Sequence, residues 1–385
     1  MSNDLSTRPT HGGNLAWAAS LAGCSPDQLL DFSASISPLG PPAIAIAAIQ
    51  SSLGHLTAYP DPTYGDLCEA LGRHHHLPPD WILPGNGSAE LLTWASRDFS
   101  GLKGVLLPTP AFGDYHRALA AFNVPLVPCP LAINRLAQDQ EPGDGVLRDS
   151  LDAAIAAHPI PPKQLGLLIN NPHNPIGCQF SVETLMSYIP QFGLVVIDEA
   201  FMDFLLPSQQ SSLIAQVQRC PNLVILRSLT KFYSLPGLRL GYAIAHPNRL
   251  KQWQTWRDPW PVNVLAAAAA VAALQDHPFQ SASWAWLSAA RLGLRQALSH
   301  LPGMLPLKGT ANYLLVHCNF SVPELQHYLL IHHRILIRDC LSFPELGDRY
   351  FRIAVRTPED NKHLVAAIQA GLRQLPHLPA LSSSN

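Results

Sequence analysis

From residue 89 to residue 244, short unbroken apolar runs alternate with stretches whose apolar residues recur every three to four positions. The runs at 105–107, 165–169, 194–197, 223–226 and 240–244 read as strands. The stretches at 89–98, 115–122, 147–158, 182–189 and 212–219 read as helices. The strands are apolar throughout instead of alternating, which is the pattern of strands covered on both faces. The expected core is therefore a mainly parallel sheet sandwiched by helices. After Pro259 the texture changes to long helices at 263–277 and 281–300. Strand patterns at 313–317, 335–338 and 351–355 follow, with helices at 323–332 and 359–372. That succession predicts a smaller α+β domain. The expected division is a large domain over 57–262, linking helices and a small domain over 263–385, and an N-terminal segment 1–56 that packs on the small domain and the candidate functional site.

Composition sharpens this picture. Of 385 residues, 36 are proline and only 14% are charged, against about 5% proline and 25% charged in ordinary soluble chains. Proline enrichment often marks disorder, but 47% of the residues are apolar, enough for a large core. Loose chain is expected only at the tails, 1–10 and 376–385. A net charge of −2 and a pI near 6.8 leave no basic excess for nucleic acid. No apolar run is long enough to span a bilayer, and the first residues lack the apolar stretch of a secretory signal, so a cytoplasmic protein without a membrane partner is expected. The seven cysteines are odd in number and never spaced C-x-x-C, which predicts buried free thiols instead of disulfides or zinc. The three histidines at 74–76 cannot converge on a metal from one helix face and read as a solvated helix end; no metal site is expected.

In an open parallel sheet, ligands bind outside the carboxyl ends of the strands. Polar residues cluster at those points: NNPHNPIG (170–177), DEAFMDF (198–204) and RSLTKFYSLPGLRLGY (227–242), with PGNGSAE (84–90) ahead of the first long helix. An aspartate closing an apolar strand is costly to bury without a cationic partner. A lysine three residues after a serine, with an arginine eight residues beyond it, has the make-up of a reactive amine beside an anion site.

In their order and spacing these residues resemble the fold-type I pyridoxal-phosphate enzymes of the aminotransferase class I/II family, along nearly the whole chain. The resemblance implies pyridoxal 5′-phosphate as cofactor, with Lys231 as its covalent anchor and proton carrier. Asp198 would pair with the pyridinium nitrogen, and Asn174 would bond the ring hydroxyl oxygen. The phosphate would rest on the amides of Gly87 and Ser88, with Ser228 and Arg239 as side-chain donors. Phe112 stands where the family stacks an aromatic ring on the cofactor. Tyr59 stands where a tyrosine reaches the phosphate of the neighbouring subunit, which implies a homodimer with shared active sites.

Within the class, HGGNLAWAASLAG (11–23), LLDFSASISPLGPP (29–42), DEAFMDF, DPWPVN (258–263) and ILIRDC (335–340) are similar to the threonine-phosphate decarboxylases of cobalamin biosynthesis. Histidinol-phosphate aminotransferases are the alternative. Aminotransferases usually carry a tyrosine three residues after the pyridine-binding aspartate, and Phe201 cannot donate that hydrogen bond. A phosphorylated amino-acid substrate carries two anionic groups; His11, Ser33, Ser35, Asn174, Arg338 and Arg352 are the implied receptors, with Arg356 as a further candidate. Where the decarboxylases read DFSANINP this chain has serines at 35 and 37.

Overall fold

The computed structural model describes residues 8–137 and 143–374. Most of the tails expected to be loose therefore lie outside the described residues. The chain forms two compact units, one of residues 36–174 and 178–285, the other of residues up to 35, 175–177 and from 286 onward.

The larger unit is built on seven strands: β1 (Ile82–Asn86), β2 (Val105–Thr109), β3 (Leu126–Pro130), β4 (Gly166–Asn170), β5 (Leu194–Asp198), β6 (Leu223–Ser228) and β7 (Leu240–Ala245). They lie in the order β1-β7-β6-β5-β4-β2-β3. From β3 to β6 all neighbours are parallel, and β5 and β6 are buried almost to the last residue. The helices expected beside the first four predicted runs form at Gly87–Phe99, Gly113–Ala120, Asp144–Ala157 and Val182–Tyr188.

Three elements depart from the sequence pattern. β7 runs antiparallel to both β6 and β1. Its connection from Ser228 holds only a loop and the 3₁₀ turn Pro236–Leu238, whereas a parallel return needs a crossover of about a dozen residues or more. The helix expected at 212–219 contracts to the 3₁₀ turn Ile214–Gln216. Ahead of that turn the Glu199 carboxylate accepts from Ser212 Oγ (2.7 Å) and from the Leu213 amide (2.8 Å). β3, with Pro128 and Pro130, escaped the apolar pattern because it is the sheet's edge, where a missing N–H breaks no ladder. Two helices outside the expected limits of the large domain, Ala43–Ser52 and Val264–Ala273, belong to this unit and pack on each other through alanine-rich faces.

The smaller unit has a four-stranded antiparallel sheet, in the order Arg338–Asp339, Tyr350–Ala354, Tyr313–Cys318, Met304–Pro306. Val322–His333 and Pro358–Leu372 pack on each other beside it. The single strand expected at 335–338 divides at Ile337. Ile335–Leu336 pairs in parallel with Leu30–Asp31, and Arg338–Asp339 pairs antiparallel with Tyr350–Ala354. The helix His277–Ser299 supplies residues to both units.

All seven cysteines are free; six are buried and Cys24 is half-buried. Of the three histidines, His74 and His76 are exposed at the helix end as expected, but half-buried His75 meets the Tyr242 hydroxyl at 2.7 Å through Nε2. Among the described residues no helix is long and apolar enough to cross a membrane.

Candidate active site

In the larger unit, the carboxyl ends of β4, β5 and β6 carry Asn170, Asp198 and Ser228; Asn170 is registered beside Asp198, and Ser228 stands two residues beyond Leu226, the neighbour of Asp198 on β6. Asp198 Oδ2 accepts the Tyr115 hydroxyl at 2.8 Å and Oδ1 accepts the Ala200 amide at 2.9 Å, so both oxygens are aimed. Burial pushes the Asp198 carboxyl up from its ordinary value, and the nearby Lys231 ammonium works against that shift. A desolvated carboxylate of this kind gains most from a cationic N–H donor.

Lys231 Nζ stands 4.9 Å from the centre of the Phe201 ring, within cation–π range. Phe201 thus presents an apolar face to the amine where a tyrosine would present a hydroxyl. The loop bearing Lys231 is held by its own backbone: its carbonyl accepts the Ser37 amide at 3.0 Å, and Ser234 Oγ donates to the Ser37 carbonyl at 2.6 Å. Asn174 is 6% exposed. Beside it, His173 is fully buried, and desolvation drives its ring to a pKa of about 3, so a neutral imidazole stands next to Asn174.

The anion cradle forms where β1 runs into the helix Gly87–Phe99. Gly87 has φ +76°, a left-handed conformation that suits glycine, and the N-cap Asn86 makes no side-chain capping bond, so the first amides remain for a ligand. A Cβ at Gly87 would meet Arg239 Nη2 at 2.7 Å, so the guanidinium lies directly over the helix start. A Cβ at Gly241 would meet the Ser88 nitrogen at 2.5 Å; glycine there lets β7 pass under the same amides. Ser228 Oγ and Thr230 Oγ1 lie 2.8 Å apart and are buried. Phe112 caps the helix Gly113–Ala120, and its ring meets Tyr115 edge-on at 5.6 Å. Helix-start amides, two hydroxyls and a guanidinium suit a phosphate dianion, and Lys231 and Asp198 suit an aldehyde carbon and a ring nitrogen. The residues present therefore fit pyridoxal 5′-phosphate.

Tyr59, on the same unit, is 79% exposed and stacks on Trp260 with ring centres 4.4 Å apart.

The smaller unit collects the expected substrate residues other than Asn174 around its N-terminal strap. Gly13 donates to Ser33 Oγ at 2.8 Å, and Ser33 Oγ donates in turn to Asp31 Oδ1 at 2.6 Å. Gly12 is pressed so close to Ser33 that a Cβ would collide with the Ser33 carbonyl. His11 is exposed at the head of this strap, and the buried Ser35 hydroxyl has no hydrogen-bond partner. Arg352 Nη2 donates to the Ser33 carbonyl at 3.2 Å, and its guanidinium lies 5.1 Å from the Tyr313 ring centre. Desolvation lowers the Arg352 pKa, partly offset by Tyr313, so this cation stands to gain from an anion. Arg338 donates to the carbonyls of Pro9 (3.1 Å) and Thr10 and to Ser342 Oγ, and Arg8 Nη1 reaches Asp339 at 3.3 Å; both arginines clasp the strap. Arg356 is engaged by Asp360 (3.0 Å) and the Asp31 carbonyl (3.1 Å), a structural brace.

A family model described as aminotransferase class I and II matches residues 27–368. The chain belongs to that family. The curated threonine-phosphate decarboxylase of Salmonella typhimurium is 39% identical over 93% of this chain and 95% of its own length. Histidinol-phosphate aminotransferase 2 of Ralstonia nicotianae is 33% identical over 90% of each. Among solved structures, histidinol-phosphate aminotransferase from Clostridium acetobutylicum superposes with TM-score 0.79 at 26% identity, covering 90% of this chain and 100% of that one. L-threonine-O-3-phosphate decarboxylase from Porphyromonas gingivalis, at 22% identity, TM-score 0.77 and coverage of 90% and 100%, adds agreement of fold alone. The fold-type I architecture and the family's cofactor follow from this membership.

Three residues in these surroundings escaped the sequence reading. Tyr115 sits one helical turn after Phe112, a spacing that puts both on one face. Thr230 and Gly241 flank motif residues and carry no signal of their own until β6 and β7 are known to be neighbours.

Proposed function

We propose that this protein decarboxylates L-threonine O-3-phosphate to (R)-1-amino-2-propanol O-2-phosphate in cobalamin biosynthesis. The observation that carries the reading is the HGGN strap seated on Ser33, because it lies ahead of the residues that match the class as a whole. Its likeness to the threonine-phosphate decarboxylases, and the 39% identity to one of them, support it.

Pyridoxal 5′-phosphate, when bound, supplies an electron sink for the pair released as the bond from Cα to the carboxylate breaks. Lys231 is proposed as its covalent anchor and as the amine that delivers a proton to Cα once CO2 has left. Asp198, aimed by Tyr115 and the Ala200 amide, would keep the ring nitrogen protonated. Asn174 would bond the ring oxygen, Phe112 would pack on the ring, and Gly87, Ser88, Ser228 and Arg239 would hold the phosphate. On the substrate, Arg352 is proposed to take an anionic group, with His11, Ser33 and Ser35 lining the approach. Arg338 would serve the second anion by its charge and by holding the strap. A cytoplasmic homodimer completes the proposal, with Tyr59 reaching the partner's phosphate.

The deciding assay supplies threonine O-phosphate without any 2-oxo acid. Release of CO2 with a product of the mass of aminopropanol phosphate is expected; a strict requirement for 2-oxoglutarate would instead mark an aminotransferase.

A further inference from the structure

Directly behind two of the proposed cofactor anchors lies a buried ionic cluster. Glu199 follows Asp198 and Arg227 precedes Ser228. Neighbours along a strand point to opposite faces, so a side chain next to an anchor projects away from the cofactor. The parallel register sets Asp198 beside Leu226, and the Glu199 amide donates to the Leu226 carbonyl at 2.8 Å. Glu199 and Arg227 consequently meet on the far face. Arg227 Nε lies 3.2 Å from Glu199 Oε2, a charge contact without hydrogen-bond alignment. Arg227 Nη1 donates to Asp203 Oδ1 at 2.7 Å. Their side chains are 2%, 0% and 14% exposed.

The cluster is anchored on every side. Glu199 accepts from Ser212 and Leu213, and the Asp203 carbonyl accepts the Trp284 indole N–H at 2.9 Å. Arg227 is registered against Tyr242 of β7, whose hydroxyl meets His75. It thus couples β5, β6, β7 and the Met202–Phe204 turn at the level where Asp198 and Ser228 leave the sheet.

Stability is a weak reason for such an arrangement. Three desolvated charges lose about as much hydration as they gain in attraction, and apolar or neutral replacements of buried ion pairs are often tolerated. What the cluster supplies is a fixed placement: the aligned Arg227–Asp203 bond ties the Met202–Phe204 turn to β6, and the close charge contact with Glu199 draws the end of β5 to the same guanidinium. We infer that Arg227, Glu199 and Asp203 are positioning residues that set Asp198 and Ser228 at the spacing the cofactor's ring nitrogen and phosphate require. This rests on the cofactor assignment above, but not on which substrate is used.

The test removes the charges while keeping the shapes. Cofactor-free wild type and the variant E199Q/D203N/R227M are titrated with pyridoxal 5′-phosphate, following its absorbance and tryptophan fluorescence, and both cofactor-free proteins are melted. Expected are melting temperatures within a few degrees of each other and cofactor affinity weakened about tenfold or more in the variant. The pH midpoint of the bound cofactor's absorbance should also be displaced, because the Asp198 contact is altered. R227K, which keeps the charge but not the fork, should fall between the two. Wild-type affinity and an unmoved midpoint in the triple variant would overturn the inference. Should the triple variant not fold, R227K with wild-type affinity and midpoint overturns it equally. A wild type that binds no pyridoxal 5′-phosphate would overturn the cofactor assignment and this inference together.

Discussion

Asp198 is a carboxylate placed where it is poorly solvated and then aimed by two donors, and its cost and its use have the same source. Burial raises its folded pKa, so the folded chain holds the proton more tightly than the unfolded chain. Between the two pKa values the folded state binds more protons, and the stability of the cofactor-free protein falls as pH rises through that window. Asp198→Asn removes the charge while its amide can still bond Tyr115 and Ala200. The cofactor-free variant should therefore melt at or above the wild-type temperature at pH 7 to 8, with the difference shrinking toward pH 4. Turnover of the loaded enzyme should fall by about two to three orders of magnitude, because a neutral amide cannot hold the ring nitrogen protonated. Thermal melts across pH and a steady-state rate measure the two effects separately. A variant that melted well below wild type at pH 8 would show that the carboxylate stabilises the empty site.

At the scale of elements, both proposed binding regions depend on glycines that let backbone approach backbone. Gly12 lies against the Ser33 carbonyl at the strap, and Gly241 lies under the Ser88 amide at the helix start. Gly12→Ala forces the strap off Ser33 and breaks the hydrogen bond that the Gly13 amide donates to Ser33 Oγ. Its expected effect is a KM for threonine O-phosphate raised about ten- to a hundredfold with pyridoxal 5′-phosphate affinity unchanged, read by steady-state kinetics beside a cofactor titration. Unchanged KM would mean that the strap does not hold substrate. The same contrast explains what the sequence could disclose. β5 and β6 are covered on both faces and so are apolar throughout, which made them and the polar residues at their ends legible. Asp198 and Lys231 stood out for that reason. β1, whose segment ILPGN includes proline and glycine, and the edge strand β3 carry no such pattern. Tyr115 was hidden because its bond to Asp198 joins positions 83 residues apart, a pairing that exists only once β2 and β5 are set two strands apart. Arg338 was legible as a cation but not as a clasp, since its acceptors are main-chain carbonyls, which every sequence contains.

For the whole molecule, the surplus of proline and scarcity of charge become features of the folded chain. Pro110, Pro172, Pro175 and Pro236 lie in the segments after strand ends that carry the proposed site, where a fixed φ stiffens the backbone. Few charges also leave apolar surface uncovered: Leu53, Leu56, Tyr59 and Trp260 are 51%, 59%, 79% and 40% exposed on the larger unit. Exposed large apolar side chains are the material from which interaction surfaces are built. The stacked pair Tyr59–Trp260 puts a phenol hydroxyl among them, a donor that serves no purpose in the packing of its own chain. If a surface built from them joins two copies and Tyr59 completes the partner's phosphate site, damage to Tyr59 and damage to Lys231 fall in different active sites of a mixed dimer. Tyr59→Ala and Lys231→Ala homodimers should each be weakly active or inactive. Subunits exchanged at equal concentration form hybrids in half of the dimers, each with one intact site, so activity should recover to about a quarter of wild type. Sedimentation of the mixture as a dimer with no recovered activity would place Tyr59 in its own subunit's site or in none.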